Sequence, residues 1–168
     1  MSYKEIRGHE KAVERLEGAV KNRRVAHAYL FAGHEGIGKR LVARAFAAEI
    51  LGGPPTPDRF FEIEKPKDKQ VITIEQMRDL IRTLSFRHAD SRVILINDAD
   101  LMNEELQNAI LKTLEEPPAR TVLVLVTAVP TMLLPTIRSR CQTVLDPLGY
   151  IDLNANVGLA VEDALLRI

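Results

Sequence analysis

Hydrophobic and polar positions follow two rhythms along this chain. Ala12, Val13, Leu16, Ala19 and Val20 recur at helical spacing, which predicts an amphipathic helix from Glu10 to Asn22. Ala28 to Ala32 is a short apolar run of strand type leading straight into Gly33. The helical rhythm returns from Lys39 to Leu51 and stops at Gly52-Gly53-Pro54-Pro55. Phe60 to Ile63 predicts a short strand, and the charged run after it a solvated loop. Thr73 and Gln76 have the spacing of a capping box, opening a helix through Leu84. Val93 to Ile96 and Thr121 to Thr127 are continuous apolar runs, as expected of central strands covered on both faces. Between them Asn103 predicts the cap of a helix reaching Glu116, which Pro117-Pro118 ends. A short helical stretch, Leu133 to Ser139, leads to a last strand near Gln142 to Leu145.

Strands alternating with helices, the most apolar in the middle, predict an α/β fold: a parallel sheet with helices on both faces. From Gly149 on, Leu159, Val161, Leu165 and Leu166 mark a separate helical tail. The 168 residues are 46% apolar and 27% charged, an ordinary globular mixture for one domain. Lysines and arginines number 23, as do the acids, so no overall field recruits nucleic acid or a membrane. The single cysteine, Cys141, excludes an internal disulfide and a Cys-rich zinc module. No apolar stretch is long enough to span a membrane, and the start lacks the apolar block of a signal peptide. These features predict a soluble, cytoplasmic domain.

The chemistry concentrates in Gly33-His34-Glu35-Gly36-Ile37-Gly38-Lys39. This G-x-x-x-x-G-K pattern follows a strand and opens a helix, where backbone amides and the helix N-terminus converge on a phosphate. Gly33, Gly36 and Gly38 let the backbone wrap an anion, and Lys39 adds a mobile positive charge. The next position normally carries the Ser or Thr hydroxyl that holds Mg²⁺. Here it is Arg40, which repels a metal cation. A metal-handling strand end, apolar residues followed by Asp-Glu, is matched by Val93 to Ile96 followed by Asn97 and Asp98. Asn97 replaces the metal-binding acid and Asp98 the longer one that polarises water; alternatively, Asp98 and Asp100 only cap the strand end. All three changes weaken hydrolysis. The loop is expected to hold phosphate, ATP or ADP weakly, without Mg²⁺, and no cofactor is required.

Beyond the loop, Ala26-His27-Ala28-Tyr29-Leu30-Phe31, the segment from Asn108 to Pro118 (NAILKTLEEPP) and that from Leu134 to Cys141 (LPTIRSRC) complete a pattern. In this order and spacing, from Ile6 to Leu148, they resemble bacterial DNA polymerase III clamp-loader subunits. The altered loop and strand end look most like the delta-prime subunit, a stator rather than an ATPase. The resemblance implies an AAA+ P-loop domain over residues 1–148 with a five-stranded parallel sheet of order 5-1-4-3-2. It implies clamp-loader partners, a gamma/tau-like ATPase and a delta-like subunit, with DNA met only indirectly. It further implies that Arg140 reaches across an interface to the γ-phosphate bound by the adjacent subunit, and that Thr127 occupies a nucleotide-sensing position. The plain alternatives are an Arg140 paired with an acid such as Asp146, and a β-branched residue finishing a strand.

Two departures accompany the match. The family's zinc-binding cysteines would fall between Gly52 and Arg59, which hold none, so no zinc is expected. The lid and C-terminal oligomerisation domains are expected to be absent, residues 149–168 forming only the tail. Lys21, Arg23 and Arg24 are read as a helix-end cluster interacting with the dipole, or as a DNA contact. His9, His27, His34 and His88 show no ligand spacing. The leading reading is a non-hydrolysing interface module of a clamp loader. A working P-loop ATPase and an inactive α/β scaffold are the alternatives.

Overall fold

In the computed structural model, which describes residues 3, 9–85 and 90–145, five parallel strands form one sheet. In chain order they are β1 (Ala28–Ala32), β2 (Phe60–Ile63), β3 (Arg92–Ile96), β4 (Thr121–Thr127) and β5 (Gln142–Leu145). Their spatial order, β2-β3-β4-β1-β5, is the expected one. The helices are α1 (Glu10–Lys21), α2 (Lys39–Leu51), α3 (Ile74–Ser85), α4 (Glu104–Glu115) and α5 (Pro135–Arg138). Two short 3-10 turns, Ala99–Leu101 and Pro130–Met132, were not expected. The tail from Gly149, His88 and Asp146 lie outside the described residues.

The continuous apolar strands follow from a sheet buried twice. Successive side chains of a strand point to opposite faces. Leu30, Ile94, Ile96, Leu123 and Leu125 meet α3, α4 and α5 through Met77, Leu80, Leu106, Ile110, Leu114 and Ile137. Their alternates Tyr29, Phe31, Val93, Leu95, Val124 and Val126 meet α1 and α2 through Leu16, Val42, Ala43, Phe46 and Ala47. With both faces covered, apolar side chains dominate on each, the buried polar ones, Arg92, Thr121 and Thr127, standing at strand ends.

Helix starts are set by the expected side chains. The Asn103 carboxamide accepts from the Leu106 amide at 2.9 Å. Thr73 and Gln76 cap reciprocally, the Thr73 amide donating to Gln76 Oε1 at 3.0 Å and the Gln76 amide to Thr73 Oγ1 at 3.4 Å. On α4, Leu106, Ile110 and Leu114 are buried, while Lys112, Glu115 and Glu116 are exposed. Apolar spacing predicts Leu106, Ile110, Leu111 and Leu114 as the core-facing arc of this helix, but Leu111 is only partly buried, packed against the core's margin. Gln107 is buried instead. Its carboxamide donates to the Met102 and Met132 carbonyls and accepts from the Leu134 amide at 2.7 Å, pinning the β4–α5 connection to the start of α4.

Candidate functional site

A parallel sheet delivers its chemistry at the carboxyl ends of its strands. The phosphate loop leaves β1 there and runs into α2. Gly36 and Gly38 have φ of +80° and +95°, a region that other residues adopt only with strain. Gly38 also begins α2, its carbonyl accepting from the Val42 amide at 3.1 Å. Lys39 folds over this loop: its ammonium donates to the carbonyls of Gly33 and His34, each at 2.6 Å. His9 Nε2 lies 2.6 Å from the Ile37 carbonyl, which makes His9 a satisfied, buried histidine. Beside it, His9, Ala12, Phe31, Ile37, Lys39 and Val42 line a cavity of about 20 Å³, room for about one water molecule and far short of a nucleobase.

The altered positions Arg40 and Asn97 meet at a residue the sequence reading did not single out, Glu62 at the end of edge strand β2. Arg40 Nε donates to Glu62 Oε1 at 2.7 Å, and its Nη1 pairs with Glu64 Oε2 at 2.7 Å. Asn97 Nδ2 donates to the same Glu62 Oε1 at 2.6 Å. Arg44, one helical turn after Arg40, takes the other oxygen with its Nε at 2.9 Å and also with Nη2. The signal was present as two arginines four apart on α2, hence on one helix face, and one acid in the strand FFEI. Burial of the Glu62 carboxyl opposes its charge, but hydrogen bonds from Arg44, Asn97 and Arg40 outweigh that and hold it below the usual carboxylate range.

A carboxyl titrating lower in the folded state contributes stability above its unfolded value, ~4.3, which is lost as pH falls through the folded value. Glu62→Gln is therefore expected to be less stable than wild type at neutral pH. The difference should shrink steadily as urea melts are run from pH 6 to pH 3. A difference independent of pH would contradict an ionised Glu62.

Asp98 is exposed, in a left-handed conformation at φ 49°. Asp100 is the acid that bonds to the neighbouring strand here. One of its oxygens accepts from the Thr127 hydroxyl and from the Ala128 amide at 3.1 Å, and Thr127 Oγ1 accepts from the Val129 amide at 3.0 Å. Thr127 is buried, and its proton is already committed to Asp100.

Arg140 lies apart from this cluster, after α5. Its Nη1 donates to the Thr136 carbonyl at 2.9 Å, and its Nη2 pairs with Glu115 of α4 at 2.8 Å. Among the described residues its acidic partner is Glu115; the Asp146 alternative lies outside them. Both side chains are substantially exposed, 36% and 51%. An exposed pair of this kind contributes ~0–1 kcal/mol and is easily exchanged. Next to it, Cys141 packs against the core, and burial pushes its thiol up to about 12, so it is protonated at neutral pH and no nucleophile.

The residues of a Mg²⁺-dependent loop do not fit here. A guanidinium and an amide stand where a hydroxyl and a carboxylate would hold the ion. With its glycine loop at the strand-to-helix turn and this sheet order, the domain has the AAA+ P-loop fold. A solved DNA polymerase III gamma subunit-related protein from Thermotoga maritima superposes with a TM-score of 0.68 at 25% identity, over 88% of this chain and 49% of that one. The chain belongs to the family described as DNA polymerase III, delta subunit, whose model matches residues 8–62 and 56–146. It is 37% identical to the DNA polymerase III subunit delta' of Pseudomonas aeruginosa over 137 residues, 69% of this chain and 42% of that protein. It is 34% identical to the subunit tau of Salmonella typhimurium over 157 residues, 83% of this chain and 24% of that protein. The chain thus spans less than half the length of either relative. Among the described residues, no helix is long and apolar enough to cross a membrane.

Proposed function

We propose that this chain is a non-hydrolysing, delta-prime-like clamp-loader module that lends Arg140 to the nucleotide of a neighbouring gamma/tau-like ATPase subunit during DNA replication. One contrast carries the reading. The cationic and amide side chains at positions 40 and 97 converge on Glu62, whose side chain is only 13% exposed, whereas the Arg140 guanidinium is held, among the described residues, by an exposed acid and a carbonyl. A guanidinium so placed is available to another chain at little cost. Phosphoryl transfer spreads negative charge over the equatorial oxygens, which a planar, permanently charged fork neutralises well. The module needs no nucleotide of its own, any phosphate or ADP held by its loop being weak and metal-free. Its partners are the ATPase subunit and a delta-like subunit, in the cytoplasm, with DNA contacted through the assembly.

Calorimetric titration with ATP and ADP, with and without Mg²⁺, tests the first half of this reading. Titration with a motor-type clamp-loader subunit tests the second. The expected result is no Mg²⁺-dependent nucleotide binding, no turnover by the chain alone, and saturable binding to the motor subunit. Micromolar Mg-ATP affinity with turnover would make the chain an ATPase instead. Failure to bind both nucleotide and motor subunit would leave an inactive scaffold.

A further inference from the structure

The sequence shows only that metal-binding side chains are missing. The structure shows what stands there instead. In a metal-dependent loop, the ion is held by the hydroxyl that opens the loop helix and by the acid at the end of a second strand. Here the side chains of those two positions, Arg40 and Asn97, converge on a single oxygen, Glu62 Oε1, at 2.7 and 2.6 Å. The Glu62 side chain is only 13% exposed, and Arg44 holds its other oxygen. The carbonyl oxygen of Asn97 is also buried there, without a hydrogen-bond partner among the described residues. A carboxylate oxygen is a hard-cation donor, and the cation that Glu62 Oε1 meets is the protein's own guanidinium.

We infer that the Arg40 guanidinium is a fixed cation standing in the divalent-ion position, and that Glu62 is the residue that keeps it there. The consequence is twofold. A divalent ion is excluded by charge and by occupation of Glu62 Oε1. The first turn of α2 is also tied to the carboxyl ends of β2 and β3 by side chains alone. The loop is thereby held in one geometry irrespective of nucleotide. This inference concerns the chain's own loop and stands whether or not Arg140 acts on a neighbour.

Removing the guanidinium should open the position to a real ion. The probe is Mn²⁺ alone, followed by electron paramagnetic resonance of the free ion and by thermal melts, on wild type, Arg40→Lys, Arg40→Thr and Arg40→Thr/Glu62→Gln. Wild type and Arg40→Lys, which keep the charge, are expected to show no saturable site. Arg40→Thr, which supplies a hydroxyl and removes the guanidinium from Glu62 Oε1, should gain one site at least tenfold tighter than any wild-type binding, reversed by EDTA and raising the melting temperature. Adding Glu62→Gln should abolish that site. Arg40→Gln, closer to arginine in length, replaces Arg40→Thr if the latter does not fold, with the same expectation. Equal Mn²⁺ binding by wild type and the neutral variant would overturn the inference. So would a folded Arg40→Thr that binds no Mn²⁺, or a site that survives Glu62→Gln.

Discussion

Arg140→Ala, added to an active motor subunit on primed DNA, is expected to assemble normally and to lose most of the stimulated ATP hydrolysis. An arginine supplied in trans to a transferring phosphoryl group is worth ~10³–10⁵-fold. Even the lower figure corresponds to about 4 kcal/mol of transition-state stabilisation. Arg140→Lys should fail almost as badly, because a compact ammonium cannot reproduce the planar fork. Stability should hardly change in either variant. The pairing with Glu115 is exposed at both ends, and such pairs contribute ~0–1 kcal/mol. Glu115→Ala supplies the control, removing the resting partner of Arg140 while leaving the guanidinium, and should retain hydrolysis. Unchanged hydrolysis with Arg140→Ala would reduce Arg140 to an anchor of the chain before β5. Loss of folding rather than of activity would do the same.

Phe46→Ala should cost ~3–5 kcal/mol in urea unfolding, the largest stability effect expected of a single truncation here. Phe46 is fully buried in the middle of α2. Its ring meets Tyr29 of β1 edge-on with centroids 4.8 Å apart, and lies 6.3 Å from Phe31. The edge-to-face pair adds ~0.5–1.5 kcal/mol to the burial of the ring. Tyr29 cannot move to fill the cavity without breaking the hydrogen bond its hydroxyl accepts from the Ala26 amide at 2.9 Å. Leu111→Ala should cost clearly less, since Leu111 sits at the margin of the core. Equal losses at the two positions would contradict this packing.

What could be read from the sequence was what depends on near neighbours. The cap at Asn103 spans three residues. The uninterrupted apolar run of β4 already implied a strand covered twice, and the glycine pattern before Lys39 fixed the loop. Leu111 was misplaced because the spacing defines an arc without saying where the neighbouring layer ends. The site proper depends on partners far apart in sequence. Glu62 meets Arg40, Arg44 and Asn97 across 22, 18 and 35 residues, and nothing in four strand residues says which face a lone acid will take. Arg140 likewise pairs 25 residues upstream, because α5 returns against the end of α4.

Whether Arg140 serves a nucleotide bound by another chain is read from single-turnover ATP hydrolysis in an assembly of this protein with a motor subunit, in three forms: intact, with Arg140→Ala, and with the motor subunit's own phosphate-loop lysine replaced. Hydrolysis should collapse in both altered assemblies, because one lacks the finger and the other lacks the nucleotide it reaches. Mg²⁺-dependent turnover persisting when the motor subunit's loop is disabled, or full hydrolysis with Arg140→Ala, would contradict that role.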